Sequence, residues 1–343
     1  MQRNGLFISV IIPVYNGRKF LTRCLDAVCA SSYRSFELIV VDDRSTDESA
    51  DISRSKGAVV LSTDTRSGPA AARNLAAETA KGEILMFIDA DVVVKPETIG
   101  RIAERFETSP EVTALFGSYD DEPAEKNFLS QYKNLQHHFV HQNSNPEAST
   151  FWSGLGAIRR DVFIANGGFD CKKFSVPSIE DIDLGFRLRR SGHRILLDAD
   201  IQAKHLKKWE VWSHLRTEIF YRALPWSRLI VENAGMINDM NLKKVDRLSA
   251  ALVAISLFLV PLAVWRPVLV LAIAASLAAV VFLNRKILVF FARKRGVPFA
   301  LMTIPWQIFY FFYSGATFAA CWCWFTLFQA LGLRKRAAIS GTH

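Results

Sequence analysis

Three acidic clusters and one late histidine hold the chemistry within reach of this chain. Asp42-Asp43 closes the apolar run 36–41, and Asp89-Ala90-Asp91 closes the run 84–88. Glu180-Asp181 and His205 follow much later. Carboxylates that each end a short β-type run emerge together at one edge of a parallel sheet, where open α/β sheets bind ligands. Two carboxylates two residues apart, facing that crevice, suit a divalent cation holding substrate phosphates. The chemistry implied is the handling of a phosphorylated donor.

The elements that must position these groups alternate. Residues 9–14 predict a buried strand that ends at Pro13 and the turn-like Tyr15-Asn16-Gly17. Residues 19–30 predict a helix, with Phe20, Leu21, Cys24, Leu25 and Val28 on one side. Strands are expected at 36–41, 58–61 and 84–88, with an alanine-rich helix at 69–80. Ser45 followed by Glu48 has the spacing of a capping box and predicts a helix start. This alternation predicts a βαβ parallel sheet. Beyond it, a helix is expected at 97–106, strands at 112–118, 151–158 and 194–198, and a helix at 184–191 ended by Gly192. His137, His138 and His141 are expected on a solvated or interfacial helix face rather than at a metal.

Charge is divided unevenly. From Ile201 onward there are 18 Lys and Arg against 5 Asp and Glu. Of the 42 and 33 in the chain, 24 and 28 therefore fall earlier, so the net charge of +9 belongs to the C-terminal part. Residues 248–265, 267–283 and 299–331 are nearly free of charge, each near the length that crosses a ~30 Å hydrocarbon core. A basic surface beside such segments fits anionic lipid headgroups, and nucleic acid is not an expected partner. Residues 207–228 mix Trp209, Trp212 and Trp226 with Arg216, Arg222 and Arg228, the makeup of an interfacial helix or of an amphipathic helix docked on the domain. Five cysteines show neither zinc spacing nor a disulfide framework and fit a reducing compartment. Residues 1–7 lack a secretory h-region, so the first domain is expected to stay cytosolic. The organisation expected is a catalytic domain over 1–205, interfacial helices over 206–247, transmembrane helices over 248–333 and a basic tail over 334–343.

In order along the chain stand Val10-Ile11-Ile12-Pro13-Val14-Tyr15-Asn16, Val41-Asp42-Asp43, Gly68-Pro69-Ala70-Ala71-Ala72-Arg73-Asn74, Asp89-Ala90-Asp91, Gly154-Leu155-Gly156, Gly167-Gly168-Phe169, Glu180-Asp181-Ile182-Asp183 and His205. Each is weak alone. Together they resemble family 2 glycosyltransferases of the GT-A fold, a mostly parallel sheet with flanking helices, here followed by an α-helical membrane region. The resemblance implies an inverting, metal-dependent transferase that uses a nucleotide-diphosphate sugar, with UDP favoured. It implies that Pro13, Tyr15, Asn16, Asp43, Arg66, Gly68, Arg73 and Asp89 hold the nucleotide sugar. Asp91 and His205, with Asp89, would hold Mn²⁺ or Mg²⁺. Asp181 would be the catalytic base, with Asp183 and Glu180 as competitors. Glu180, Trp152 and Gly154 would meet the acceptor. The absence of a Q-x-x-R-W run implies single additions rather than polymer synthesis.

The expected acceptor is a hydroxyl of a lipid or lipid-linked glycan at the inner membrane, with the catalytic domain facing the cytosol. A polyprenyl-phosphate acceptor is the alternative. The nucleotidyltransferase and dinucleotide-binding alternatives need Gly-rich loops after the first strand, and Pro13-Val14-Tyr15-Asn16-Gly17 does not supply them. The positive-inside tendency conflicts with Arg334-Lys335-Arg336 emerging after a third span, unless the third element is tilted, broken or re-entrant near Pro305.

Overall fold

A computed structural model describes residues 5–232, Met240 and 243–330. Two compact units divide the chain, Met1–Val211 and Trp212–His343.

The first unit follows the expected alternation. β1 (Ile8–Val14) is followed by α1 (Arg18–Cys29), β2 (Phe36–Asp42), α2 (Ser49–Ser55), β3 (Val59–Ser62), α3 (Gly68–Thr79) and β4 (Ile84–Ile88). Next come β5 (Val92–Val93), α4 (Thr98–Thr108), β6 (Val112–Tyr119), α5 (Phe128–Gln142), β7 (Glu147–Ala148), β8 (Leu155–Arg159), α6 (Arg160–Ala165), α7 (Glu180–Arg190) and β9 (Arg194–His205). The strand order is β3-β2-β1-β4-β8-β6-β9-β5, with β7 also on β9. β1 to β4 pair in parallel, while β8 runs antiparallel between β4 and β6.

Alternate residues of β1, Ile8, Val10, Ile12 and Val14, pack on Leu21, Cys24, Leu25 and Val28 of α1. Burial of both sheet faces explains why the strand reads as an unbroken apolar run. Pro13 lies beyond the last β1–β4 pair, Ile11 with Phe87, where its missing N–H breaks no bond to β4.

Five expectations change, the first being the strand expected at 151–158, which begins only at Leu155. The helix expected from Ser45 begins at Ser49, because the Ser45 hydroxyl accepts the Asn16 N–H instead of capping. The strand expected to stop at residue 198 continues as β9 to His205, after an irregularity in its pairing with β6. Gly117 faces that irregularity, and a Cβ there would lie 2.2 Å from the Ile201 carbonyl oxygen. The helix expected from residue 184 starts at Glu180, so the acidic pair occupies its first turn. His138 and His141 are buried rather than solvated, their Nδ1 atoms 2.8 and 3.0 Å from the Tyr119 and Gly117 carbonyls.

In the second unit, α8 (Val211–Arg216), a π-helical stretch Thr217–Ala223 and α9 (Leu224–Glu232) run consecutively. Tyr313 Oη donates to the buried Glu218 carboxylate at 3.3 Å, tying this run to the last helix. α10 (Lys244–Ala263), α11 (Leu269–Leu283), α12 (Arg285–Arg295) and α13 (Val297–Ala330) follow. Among the described residues, Lys244–Ala263 and Val297–Phe328 are long and apolar enough to cross a membrane. α11 and α12 form a third candidate only as a pair bent by 65°. The break thus falls at Asn284, whose side-chain amide donates to Val280 O and Ser249 Oγ, whereas α13 runs through Pro305. The basic residues 334–336 lie outside the described residues.

Candidate active site

The carboxyl ends of β1, β2 and β4 and the start of β8 meet at one sheet edge. Asp43 N bonds the Val14 carbonyl at 2.8 Å, and Asp89 N bonds the Gly154 carbonyl at 3.3 Å. His205 reaches the same edge because it pairs with Val92, and Leu206 N bonds the Asp91 carbonyl at 2.8 Å.

On the β1–β2 side, the loops lock each other. Asn16, at φ +50°, accepts the Thr46 N–H on its side-chain oxygen at 2.8 Å. Buried Asp43 accepts Thr63 Oγ1 and Ser67 N on Oδ1 and Gly68 N on Oδ2, each at 2.8 Å. Asp43 therefore shapes the loop that presents Arg66, whose guanidinium lies 3.9 Å over the exposed Tyr15 ring. Gly68, at φ +83°, is forced by a close approach to protein backbone. A Cβ there would sit 2.5 Å from the Ser175 carbonyl oxygen.

At the centre is Arg73, almost wholly buried. It donates to Asp89 Oδ1 at 2.6 Å and to Glu180 Oε1 at 3.1 Å. It thus spans the two acidic motifs instead of standing free for a ligand. The next residue, Asn74, holds the Gly168-Phe169 turn, donating to the Phe169 carbonyl at 2.8 Å and accepting its N–H at 3.0 Å.

Asp91 turns the other way, its Oδ2 3.5 Å from His205 Nε2. Burial would raise its pKa, but His205 and Lys207 outweigh burial and hold the group below the ordinary carboxylate range. His205 is stacked on Tyr119, with centroids 4.2 Å apart and planes 9° off parallel. Trp152 meets Tyr119 edge-on at 4.8 Å, and a Cβ on Gly154 would strike the Trp152 ring at 2.6 Å.

Three carboxylates on α7 have different fates. Glu180 is buried on Arg73 and also accepts Ser178 N at 2.9 Å. Asp183 is neutralised by Lys173 at 3.2 Å and Arg187 at 2.9 Å. Among the described residues, no basic side chain lies within bonding distance of Asp181. Its Oδ2 accepts Ser153 N at 3.0 Å and Ser153 Oγ at 3.2 Å, and its Oδ1 accepts Ile182 N at 2.8 Å. Burial, then the neighbouring Glu180 charge, raises its pKa to about 6.

The candidate positions thus converge on one edge in three sets: Tyr15, Asn16, Asp43 and Arg66; Asp91 with His205; and Asp89, Arg73, Glu180 and Asp181. Pro13 sits inside β1, half-buried. Ser153, Asn74 and Tyr119 also shape the site; Asn74 closes the Gly68–Asn74 motif, whereas no local sequence pattern marks Ser153 or Tyr119. Among the described residues, no three His, Cys, Asp or Glu side chains form a ready-made metal cluster. The Asp91–His205 pair supplies one oxygen and one nitrogen donor, two of the six positions of an octahedral cation.

Comparison with known proteins finds a family match over part of the chain. Residues 9–167 match the model of glycosyl transferase family 2. This segment is a family 2 glycosyltransferase domain. Glycosyltransferase GlyG of Streptococcus pneumoniae serotype 4 is 30% identical over 126 residues, which are 35% of this chain and 42% of that one. The undecaprenyl-phosphate 4-deoxy-4-formamido-L-arabinose transferase of Pseudomonas fluorescens is 29% identical over 170 residues, 46% of this chain and 49% of that one. The chain spans 35 to 42% of the length of the first three curated relatives it matches. Among solved structures, S. aureus TarS 1-349 in complex with UDP-GlcNAc superposes with a TM-score of 0.52 and 18% identity, covering 94% of this chain and 92% of that one. The mannosyltransferase PcManGT of Pyrobaculum calidifontis, in complex with GDP-Man and Mn²⁺, gives 0.51 and 18%, covering 96% and 88%. At such identities the likeness is one of fold. The glycosyltransferase domain has the GT-A fold, its sheet mixed rather than mostly parallel because β8 is inserted antiparallel between β4 and β6.

Proposed function

We propose that the chain is a membrane-anchored, inverting glycosyltransferase that moves a sugar from a nucleotide-diphosphate donor, with UDP favoured, to a hydroxyl on a lipid or lipid-linked glycan. What supports this is Asp181, a carboxylate held by Ser153 and without a salt bridge among the described residues, at the edge shared with the Asp91–His205 pair.

In this reading the Tyr15 ring borders the nucleobase, with the Arg66 guanidinium stacked over that ring. Asn16 and Asp43 hold the loops around it, and Asp43 Oδ2 keeps a lone pair for the base edge. Asp91 and His205 would hold Mn²⁺ or Mg²⁺, which when bound neutralises the leaving diphosphate. Asp89 spends Oδ1 on Arg73 and keeps Oδ2 for the donor ribose or a metal-bound water. Arg73 acts as a tie between the acidic motifs, which leaves Arg66 to meet diphosphate charge. Trp152, Gly154 and Glu180 border the acceptor side.

Asp181 takes the acceptor hydroxyl proton as its oxygen bonds the anomeric carbon. The anomeric carbon–phosphate oxygen bond breaks, its electron pair leaves on the diphosphate, and the configuration inverts. A free alcohol is a weak nucleophile near neutral pH and needs such a base. The domain faces the cytosol of an inner-membrane protein in this reading.

The undecaprenyl-phosphate transferases among the relatives favour a second reading, a lipid phosphate acceptor. One experiment separates the two. The purified full-length protein is incubated with Mn²⁺, a panel of labelled nucleotide sugars and native lipid extract, and the lipid product is treated with mild acid. An acid-stable glycoside is expected. Release of free sugar with recovery of polyprenyl phosphate establishes the second reading. Transfer that persists undiminished in EDTA removes the metal from either.

A further inference from the structure

Asp181 and Ser153 lie 28 residues apart in sequence. They meet because α7 docks its first turns on the segment before β8. Gly185 permits this approach, since a Cβ there would stand 2.3 Å from the Phe151 nitrogen. Ser153 is itself buried, with 2% of its surface exposed, so no water competes for its two donors. Both donors, the backbone N–H and the hydroxyl, end on the same oxygen, Asp181 Oδ2.

An ionised carboxylate oxygen has two lone-pair sites. On Oδ2 both are occupied by Ser153. Oδ1 accepts only the Ile182 N–H and retains one. We propose that Ser153 is the positioning residue of the proposed base: it saturates Asp181 Oδ2, fixes the carboxylate plane and leaves Oδ1 as the atom that receives the acceptor proton. Ser153 does not itself touch the reacting atoms.

The inference rests on the functional reading above. The charged groups that face Asp181 are Glu180 on its own helix and Arg73 from α3, and the 150–154 segment brings none. Asp183 is turned to Lys173 and Arg187. The Ser153 hydroxyl is therefore the neutral donor whose removal changes Asp181 while leaving these charges in place. Hydrogen bonds to an ionised carboxylate favour it. Without the hydroxyl, the protonated form gains and the pKa rises.

The test is the pH profile of the full-length enzyme in detergent with Mn²⁺, read as hydrolysis of UDP-GlcNAc, UDP-glucose and GDP-mannose, water standing in for the acceptor. Wild type is compared with Ser153→Ala, Ser153→Cys, Ser153→Thr and Asp181→Asn. The acid limb of kcat in Ser153→Ala is expected to move up by about one pH unit, the scale of one charge-assisted hydrogen bond. That shift lowers the rate about tenfold below the limb and leaves it nearly unchanged on the alkaline plateau. KM for the donor should not change, and Ser153→Thr should restore the limb. Ser153→Cys keeps the side-chain size with a weaker donor and should fall between, which serves if the alanine variant does not fold.

A uniform loss at every pH, or an unmoved limb in both the Ala and Cys variants, overturns the inference. Wild-type turnover by Asp181→Asn instead overturns the functional reading on which it rests. The two failures are read from different variants.

Discussion

The two acidic motifs of the site have a common plan and opposite outcomes. In each, one carboxylate is tied to Arg73: Asp89 in the first, Glu180 in the second. The other member is left to a different neighbour. Asp91 faces His205 and Lys207, which hold it below the ordinary carboxylate range against its burial. Asp181 faces a serine and carries Glu180 beside it, so burial and like charge raise it to about 6. One shared arginine thus leaves a carboxylate suited to a cation and another suited to a proton. Side-chain type does not separate them, since both are aspartates; their neighbours do.

The comparison breaks first at Asp91. Asp91→Ala should lower turnover by about 10³-fold or more, the several kcal/mol that a bound cation supplies, with the fold retained by circular dichroism. A partial loss would mean that another group holds the metal. Asp181→Asn should lower transfer by about 10²-fold or more while a nucleoside diphosphate with Mn²⁺ still raises the thermal midpoint. Asp183→Asn should instead lower stability and leave the pH profile in place. The reverse pattern would exchange the roles of the two residues.

Arg73→Met removes the tie itself. It leaves the buried Glu180 carboxylate without its partner and should destabilise the domain by about 3–5 kcal/mol, read by denaturant or thermal unfolding. The smallest effect is one of sign. The folded pKa of Asp181 is raised to about 6, above the ordinary carboxylate value of 3.8. Its contribution to stability is complete below the lower value and is lost as pH rises through the upper one. Asp181→Asn should therefore have the higher thermal midpoint above pH ~6, with the advantage fading as pH falls toward ~4. A constant difference across that range would mean that the carboxyl is not raised.

Legibility in the sequence followed locality. Ile84–Ile88 reads directly as a strand because every residue is buried, and Asp89 and Asp91 follow its end by construction. The capping pattern at Ser45 misled because Asn16, 29 residues away, took the hydroxyl. β9 was half visible: its irregularity at Asp198–Ile201 interrupts the apolar pattern, and only Gly117 on the facing strand accommodates it. Glu180 and Asp181 were visible as carboxylates, but their division of labour was not. It depends on Arg73, 107 residues from Glu180, and on Ser153, whose position carries no periodic signal. The polar residues buried on α13, Thr303 and Gln307, were likewise hidden within an apolar composition.

The 65° bend at Asn284 also acts as a ballot on orientation. α12 leaves α11 nearly crosswise, and at 11 residues it is about 16 Å long, too short to cross. It carries Arg285, Lys286, Arg293, Lys294 and Arg295 with no acidic residue. If α13 crosses the bilayer, these five cations stand at the end where it enters. The positive-inside tendency places such a cluster on the cytosolic side, so we propose that α12 biases which way the membrane unit inserts.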